Sequence, residues 1–236
     1  MKLHVKSYSQ FLLESRLEFN ITNPTDEELG KIREFINSPR VDAEDLHHLA
    51  SSPMALIRWL VAKHPATEPR TLVKLLRDSD PDVVRKVAES PKLPSETLVE
   101  LAEDGDYKVR FRVAENPNTP AETLVKLAED EDDEVRQGVA NNPNTPAETL
   151  VDLTRDADSD VRFMVAENPN TPVEILAKLS QNSDRSIRIA VSGNPNAPIE
   201  SLLQLAKDPD SVVRHLAQNH PNYPNNLADF LKFDWR

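Results

Sequence analysis

Apolar residues recur along the chain at helical spacing inside a longer period. Leu46 and Leu49 are followed, every 26 residues, by Leu72 and Leu75, Leu98 and Leu101, Leu124 and Leu127, Leu150 and Leu153, Leu176 and Leu179, and Leu202 and Leu205. A third series (Ile57, Val83, Val109, Val135, Val161, Ile187, Val213) and a fourth (Val61, Val87, Val113, Val139, Val165, Val191, Ala217) keep the same register. Steps of three and four residues place each pair on one face of a helix, not on a strand. Each period therefore predicts two short helices, A carrying the leucines and B carrying the Val/Ile pair. Neither is long enough to stand alone, because helices under about 12 residues are marginal in water. Each must stack on neighbouring periods, which predicts an all-α solenoid.

Proline punctuates the pattern. Pro39, Pro65, Pro91, Pro117, Pro143, Pro169, Pro195 and Pro221 stand 26 residues apart. Pro94, Pro120, Pro146, Pro172, Pro198 and Pro224 follow three residues later, with Pro69 one position late, so fifteen of the nineteen prolines mark helix ends. In Asn116–Glu122, Thr119 is predicted to cap helix A, Pro120 to take the first helical position and Glu122 to complete a capping box. Helix A is then expected to run to about Asp130. Asp132 is predicted to cap helix B, which ends near Asn142, where Pro143 disfavours α geometry. With about two turns, helix B is predicted to be α or partly 3₁₀. The expected boundaries are an N-terminal helical cap at 1–38, seven repeats at 39–220 and a C-terminal capping helix at 221–236. The first cap is predicted to hold helices over Ser9–Glu18 and from Thr25 towards Asn37. The second carries Phe230, Leu231, Phe233 and Trp235 to seal the last interface.

Composition removes whole classes of chemistry. The 236 residues include no cysteine, which excludes disulfides, Cys-type metal centres and a thiol nucleophile. The four glycines form neither G-x-G-x-x-G nor a P-loop. No run approaches the roughly 18 apolar residues of a membrane span, and Met1–Asn20 lacks a signal-peptide pattern. A cytoplasmic monomer without cofactor or metal is expected.

The unit Asn-Pro-Asn-Thr-Pro-x-Glu-x-Leu-x-x-Leu-Ala-x-Asp-x-Asp-x-x-Val-Arg-x-x-Val-Ala, nearly complete over 116–140 and 142–166, resembles the leucine-rich repeat variant family. Its Asp-x-Asp-x-x-Val-Arg stretch is similar to HEAT repeats. The resemblance implies a right-handed superhelix of paired α and 3₁₀ helices and implies no reaction. One family member is associated with an N-terminal cysteine cluster holding an iron–sulfur centre, which does not carry over to a chain without cysteine.

Against this background the charged series invite two readings. Arg58, Arg110, Arg136, Arg162, Arg188 and Arg214 share one slot, interrupted where Val84 takes it and Arg85 follows. They form either a guanidinium ladder for phosphates or carboxylates, or structural pairs. Asp80, Asp106, Asp132, Asp158, Asp184 and Asp210, four residues before the slot, favour the structural reading through i,i+4 pairing, and Asp78, Asp104, Asp130, Asp156 and Asp208 offer further carboxylates. The seven B segments hold ten Lys/Arg against three Asp/Glu, so the rest of the chain carries −19 of a net −12. A basic B face on an acidic protein makes nucleic acid the alternative partner.

The position after the arginine slot varies while its neighbours do not: Trp59, Arg85, Phe111, Gln137, Phe163, Ile189, His215. Trp59, Phe111 and Phe163, interleaved with Arg85, Lys86 and Arg112, are read as a recognition surface or as fillers between successive B helices. The candidate partner-binding residues are Trp59, Arg85, Lys86, Phe111, Arg112, Phe163 and His215. The Asn series at 116, 142, 168 and 194 is predicted to be a structural ladder, with His64 and His220 as substitutes in the same turn slot. No triad or metal-ligand spacing stands out, and the expected role is a non-catalytic scaffold that binds another protein.

Overall fold

The computed structural model of the protein describes residues 26–38 and 41–224. The predicted helix at Ser9–Glu18 and the capping segment beyond Pro224 lie outside the described residues. The chain divides into two compact units, 1–118 and 119–236. In unit 1 the helices are α1 (Asp26–Ile36), α2 (Ala43–Leu49), α3 (Ala55–Lys63), α4 (Pro69–Leu75), α5 (Pro81–Ala88), α6 (Ser95–Leu101) and α7 (Tyr107–Glu115). In unit 2 they are α8 (Ala121–Leu127), α9 (Asp133–Asn141), α10 (Ala147–Leu153), α11 (Ser159–Glu167), α12 (Val173–Leu179), α13 (Arg185–Gly193), α14 (Ile199–Leu205) and α15 (Ser211–Gln218). No strand or 3₁₀ segment occurs among the described residues, so both helices of each pair are α. The helix predicted from Thr25 is α1.

All four apolar series are buried. B helices stack on B helices, α3 on α5 on α7 in unit 1 and α9 on α11 on α13 on α15 in unit 2, and each A helix packs on the B helix that follows it. A leucine at an A position therefore seals its own pair, and a valine at a B position seals the stack. Truncating one buried leucine to alanine costs about 2–5 kcal/mol in such a core.

The helix ends depart from the sequence expectation in two ways. Pro94, Pro120, Pro146, Pro172 and Pro198 are themselves the N-cap residues of the A helices, and no side chain caps those ends. The predicted Thr119 cap and Glu122 capping box are therefore absent. The threonine before the proline is buried and, as seen in other repeats, serves the preceding B helix: Thr67, Thr145 and Thr171 donate their hydroxyls to the carbonyls of Val61, Val139 and Val165. Helix A also ends early, at Leu127 instead of Asp130. The Asp-x-Asp turn takes over there, because the first carboxylate accepts the backbone N–H of the second, as in Asp132 N–H to Asp130 at 3.0 Å. The second Asp then caps helix B, as predicted, at Asp80, Asp106, Asp132, Asp158, Asp184 and Asp210.

Candidate interaction surface

The arginine slot is structural. Arg58, Arg110, Arg136, Arg162, Arg188 and Arg214 each send Nη1 back to the carbonyl six residues earlier, at 2.6–2.9 Å, closing the turn between A and B. The carboxylate partner is not the Asp four residues before, which caps the helix through Oδ1. It comes from the next repeat, 20 residues on, where Asp78 receives Arg58, Asp156 receives Arg136 and Asp208 receives Arg188, each through Nε and Nη2. These pairs are well covered, with side-chain exposure of 13% and 4% for Arg58 and Asp78. Burial alone raises the pKa of Asp78 and Asp156, but the guanidinium hydrogen bond, a backbone N–H and the arginine charge together hold both below the usual carboxylate range. At Asp208 the Arg188 hydrogen bond is the largest influence and the direction is the same. Arg162 has Asn182 where the carboxylate would stand, and donates to the carbonyls of Asp156, Ala157 and Asp158. A phosphate ladder on this slot is thereby ruled out for the guanidinium groups so engaged.

The asparagine series is equally committed. Asn116 donates Nδ2 to the carbonyls of Ala88 and Ser90, Asn168 to those of Ala140 and Asn142, and Asn194 to those of Ala166 and Asn168. His220, standing in the same slot, bonds the Asn194 carbonyl through Nε2. His64 does not continue the ladder: its Nδ1 accepts from Ala66 N–H, and burial together with the charge of Lys92 lowers its pKa.

Six of the ten B-segment cations are slot arginines. The other four, Lys63, Arg85, Lys86 and Arg112, all lie in unit 1, and they converge on one groove. A cleft of about 470 Å³ between α3 and α5 is floored by Ala55, Leu56, Trp59 and Val83 and walled by Asp80, Asp82, Arg85, Lys86, Glu89 and Arg112. A second cleft of about 320 Å³ shares Lys86 and Glu89 and continues to the turn at Lys63, His64, Ser90 and Lys92. The Trp59 ring takes two ammonium groups, Lys63 Nζ at 5.3 Å and Lys86 Nζ at 5.5 Å. Glu89 pairs with Lys86 and Arg112, and Arg85 pairs with Asp82 and, at 3.0 Å, with Asp106. The slip that put Val84 in the arginine slot explains Arg85. Val84 is buried, and the guanidinium one position later faces the groove instead of the turn.

Of the predicted contact residues, Trp59, Arg85, Lys86 and Arg112 meet in this groove. Phe111 lies beside it on α7, half-buried, with the Arg112 guanidinium 5.0 Å from its ring. Phe163 and His215 belong to unit 2; Phe163 is half-buried on α11, and His215 is exposed with Asn219 Nδ2 3.3 Å from its Nδ1. The aromatics are thus only partly exposed. Sequence reasoning missed Lys63, Glu89 and Lys92. Register held the signal: Lys63 is four residues after Trp59 on one helix face, and Glu89 occupies the same slot one repeat on. Among the described residues no group of three or more His, Cys, Asp or Glu side chains is placed to hold a metal, and no helix is long and apolar enough to cross a membrane.

Paired helices stacked in this way define a helical repeat protein. Its repeats at 107–132, 133–158 and 160–184 match the leucine rich repeat variant family. A solved structure described as a leucine-rich repeat variant with a novel repetitive protein structural motif shares 28% identity over 93% of this chain and 88% of its own, with a TM-score of 0.62. An engineered protein shares 21% identity over 84% of this chain and 71% of its own, at TM-score 0.45. A computationally designed armadillo repeat protein for modular peptide recognition shares 18% over 80% and 97%, at TM-score 0.33. No curated protein matches the chain.

Proposed function

We propose that the protein is a non-catalytic scaffold that binds another protein through the B-helix and turn surface of unit 1. The observation that carries this reading is the Trp59 groove, where an indole lies among the ion pairs Arg85–Asp82, Lys86–Glu89 and Arg112–Glu89, whose carboxylates cap no helix. Trp and Arg at the centre of a concave patch are the residue types that dominate protein interfaces. The regular positions of the repeat are spent on stacking, which leaves the variable slot after the arginine free to select a partner.

Panning a displayed random-peptide library against the whole chain tests this. The selected peptides are expected to lose at least tenfold in affinity against Trp59→Ala and Arg112→Glu, and to bind Phe163→Ala unchanged. Peptides indifferent to both groove variants would overturn the reading. So would an oligonucleotide that binds at physiological salt while the library yields nothing, since the alternative partner is nucleic acid.

A further inference from the structure

Resting on that reading, we infer that the occupant of the unit 1 groove is an acidic, extended peptide segment whose apolar side chain seats on Trp59. The charges in the two clefts are not balanced in their commitments. The carboxylates are engaged within the protein: Asp80 caps α5 by accepting the Asp82 N–H at Oδ1, Asp82 pairs with Arg85, and Glu89 holds both Lys86 and Arg112. Two of the cations are not so matched. Lys63 rests on the Trp59 ring, and Lys92 donates to the carbonyls of Pro65 and Thr67; neither pairs with a carboxylate among the described residues. A basic peptide would have to compete with Arg85, Lys86 and Arg112 for Asp82 and Glu89, whereas an acidic one meets two ammonium groups without carboxylate partners at the turn end of the groove.

The apolar floor sets the second requirement. Leu56, Trp59 and Val83 line the larger cleft, and an aliphatic or aromatic side chain placed there packs against them. The groove runs along a nine-residue helix, about 13 Å at 1.5 Å per residue, which accommodates about four residues of extended chain. That length holds one apolar residue and the acids on either side of it. Nucleic acid fits less well, because two ammonium groups free of carboxylates neutralise only about two phosphates, set against a chain of net charge −12.

Fluorescein-labelled peptides with one Phe between two Glu on each side, and the same peptide with Gln or with Lys in place of Glu, are the probes. At low salt the Glu peptide is expected to bind the full chain at least tenfold more tightly than the Gln peptide, and the Lys peptide to bind more weakly still. Lys63→Glu and the milder Lys63→Gln are expected to weaken the Glu peptide, by at least tenfold and about threefold respectively. Lys178→Glu on α12 is the charge control and is expected to leave it unchanged. Equal binding of the Glu and Gln peptides, preference for the Lys peptide, or indifference to Lys63 overturns the inference. Peptides that depend on Trp59 but not on their acids overturn it alone; the absence of any Trp59-dependent peptide overturns the protein-binding reading as well.

Discussion

In unit 2 the turn slots hold Asn142, Asn168, Asn194 and His220; Asn168 and Asn194 each tie their repeat to the one before through two carbonyls, and His220 bonds the Asn194 carbonyl. In unit 1 the same slots hold His64, Ser90 and Asn116, and of these only Asn116 makes the double contact. The second asparagine of the turn, Asn170, Asn196 and Asn222 in unit 2, reaches a proline carbonyl; in unit 1 Asn118 does the same at Pro91, and Lys92 substitutes for it at Pro65. The arginine slot slips only at Val84, in unit 1. Irregularity and the charged groove therefore coincide. Where a repeat needs only to stack, its positions converge; where it breaks its own rule, side chains are released from structural duty and become available for recognition.

The largest test of this contrast removes a rung from each unit. Asn168 is almost fully buried, and its amide also accepts the Asn170 N–H, so Asn168→Ala takes the side-chain donor from the Ala140 carbonyl and the acceptor from the Asn170 N–H, and leaves the Asn142 carbonyl with the Thr145 N–H alone. A loss of about 3 kcal/mol is expected, the upper end for an unsatisfied buried group. Ser90→Ala in unit 1 gives up one bond to the Lys92 N–H at 3.3 Å and is expected to cost about 0.5 kcal/mol. Native-state hydrogen exchange of α9–α11 and of α3–α5 reads the two separately. Equal costs would show that the ladder does not set the stability difference between the units.

A smaller effect separates the two kinds of arginine. Arg136→Ala breaks a covered pair with Asp156 and two turn carbonyl contacts, and about 2 kcal/mol is expected for charge-assisted bonds of this kind. Arg85→Ala removes partly exposed pairs and is expected to cost under about 1 kcal/mol. Acid sharpens the contrast. Because the native pKa values of Asp78, Asp156 and Asp208 lie below that of a free carboxylate, their stabilisation is complete above about pH 3.9 and is lost as pH falls further through the native values. Unit 2 holds two of the three. Hydrogen exchange between pH 5 and pH 2 is expected to show α9–α13 losing protection with a steeper pH dependence than α3–α5, and Asp156→Asn to flatten part of it.

Much of this was legible in the residues, and the failures share one cause. Period, helix pairing and core follow from spacing alone, since a position that repeats every 26 residues at helical steps has only one way to be buried. The B-helix caps were legible too, because Asp at an N-cap acts within its own turn. What the chain order concealed were contacts that cross repeats. Arg136 looks paired with Asp132, four before it, yet it meets Asp156 in the next repeat, and Thr119 looks like the cap of the helix it precedes, although its counterparts bond the helix before. The Trp59 groove was half legible: the variable slot pointed to Trp59 and Arg85, and Lys63 was readable as the residue one turn after Trp59 on α3, but Glu89 and Lys92 come to it only through the stacking of successive repeats.

The smallest expected effect asks why unit 1 keeps its irregular turn. Ser90→Asn restores the rung: by the geometry of Asn116, the new amide would donate to the carbonyls 28 and 26 residues back, those of Ala62 and His64. Two bonds in a largely covered turn are expected to add about 1 kcal/mol, which raises Tm by roughly 2–4 °C in a chain of this length. Ser90 also lines the turn end of the groove beside Lys63 and Lys92, so the same variant measures access. A gain in Tm with weaker binding of the Glu peptide would mean that unit 1 forgoes stability to keep that end open. A gain with unchanged binding would confine recognition to the charged side chains and make the turn a neutral departure from the repeat. No gain at all would break the contrast at its root, because then the missing asparagines would not be what distinguishes unit 1 from unit 2.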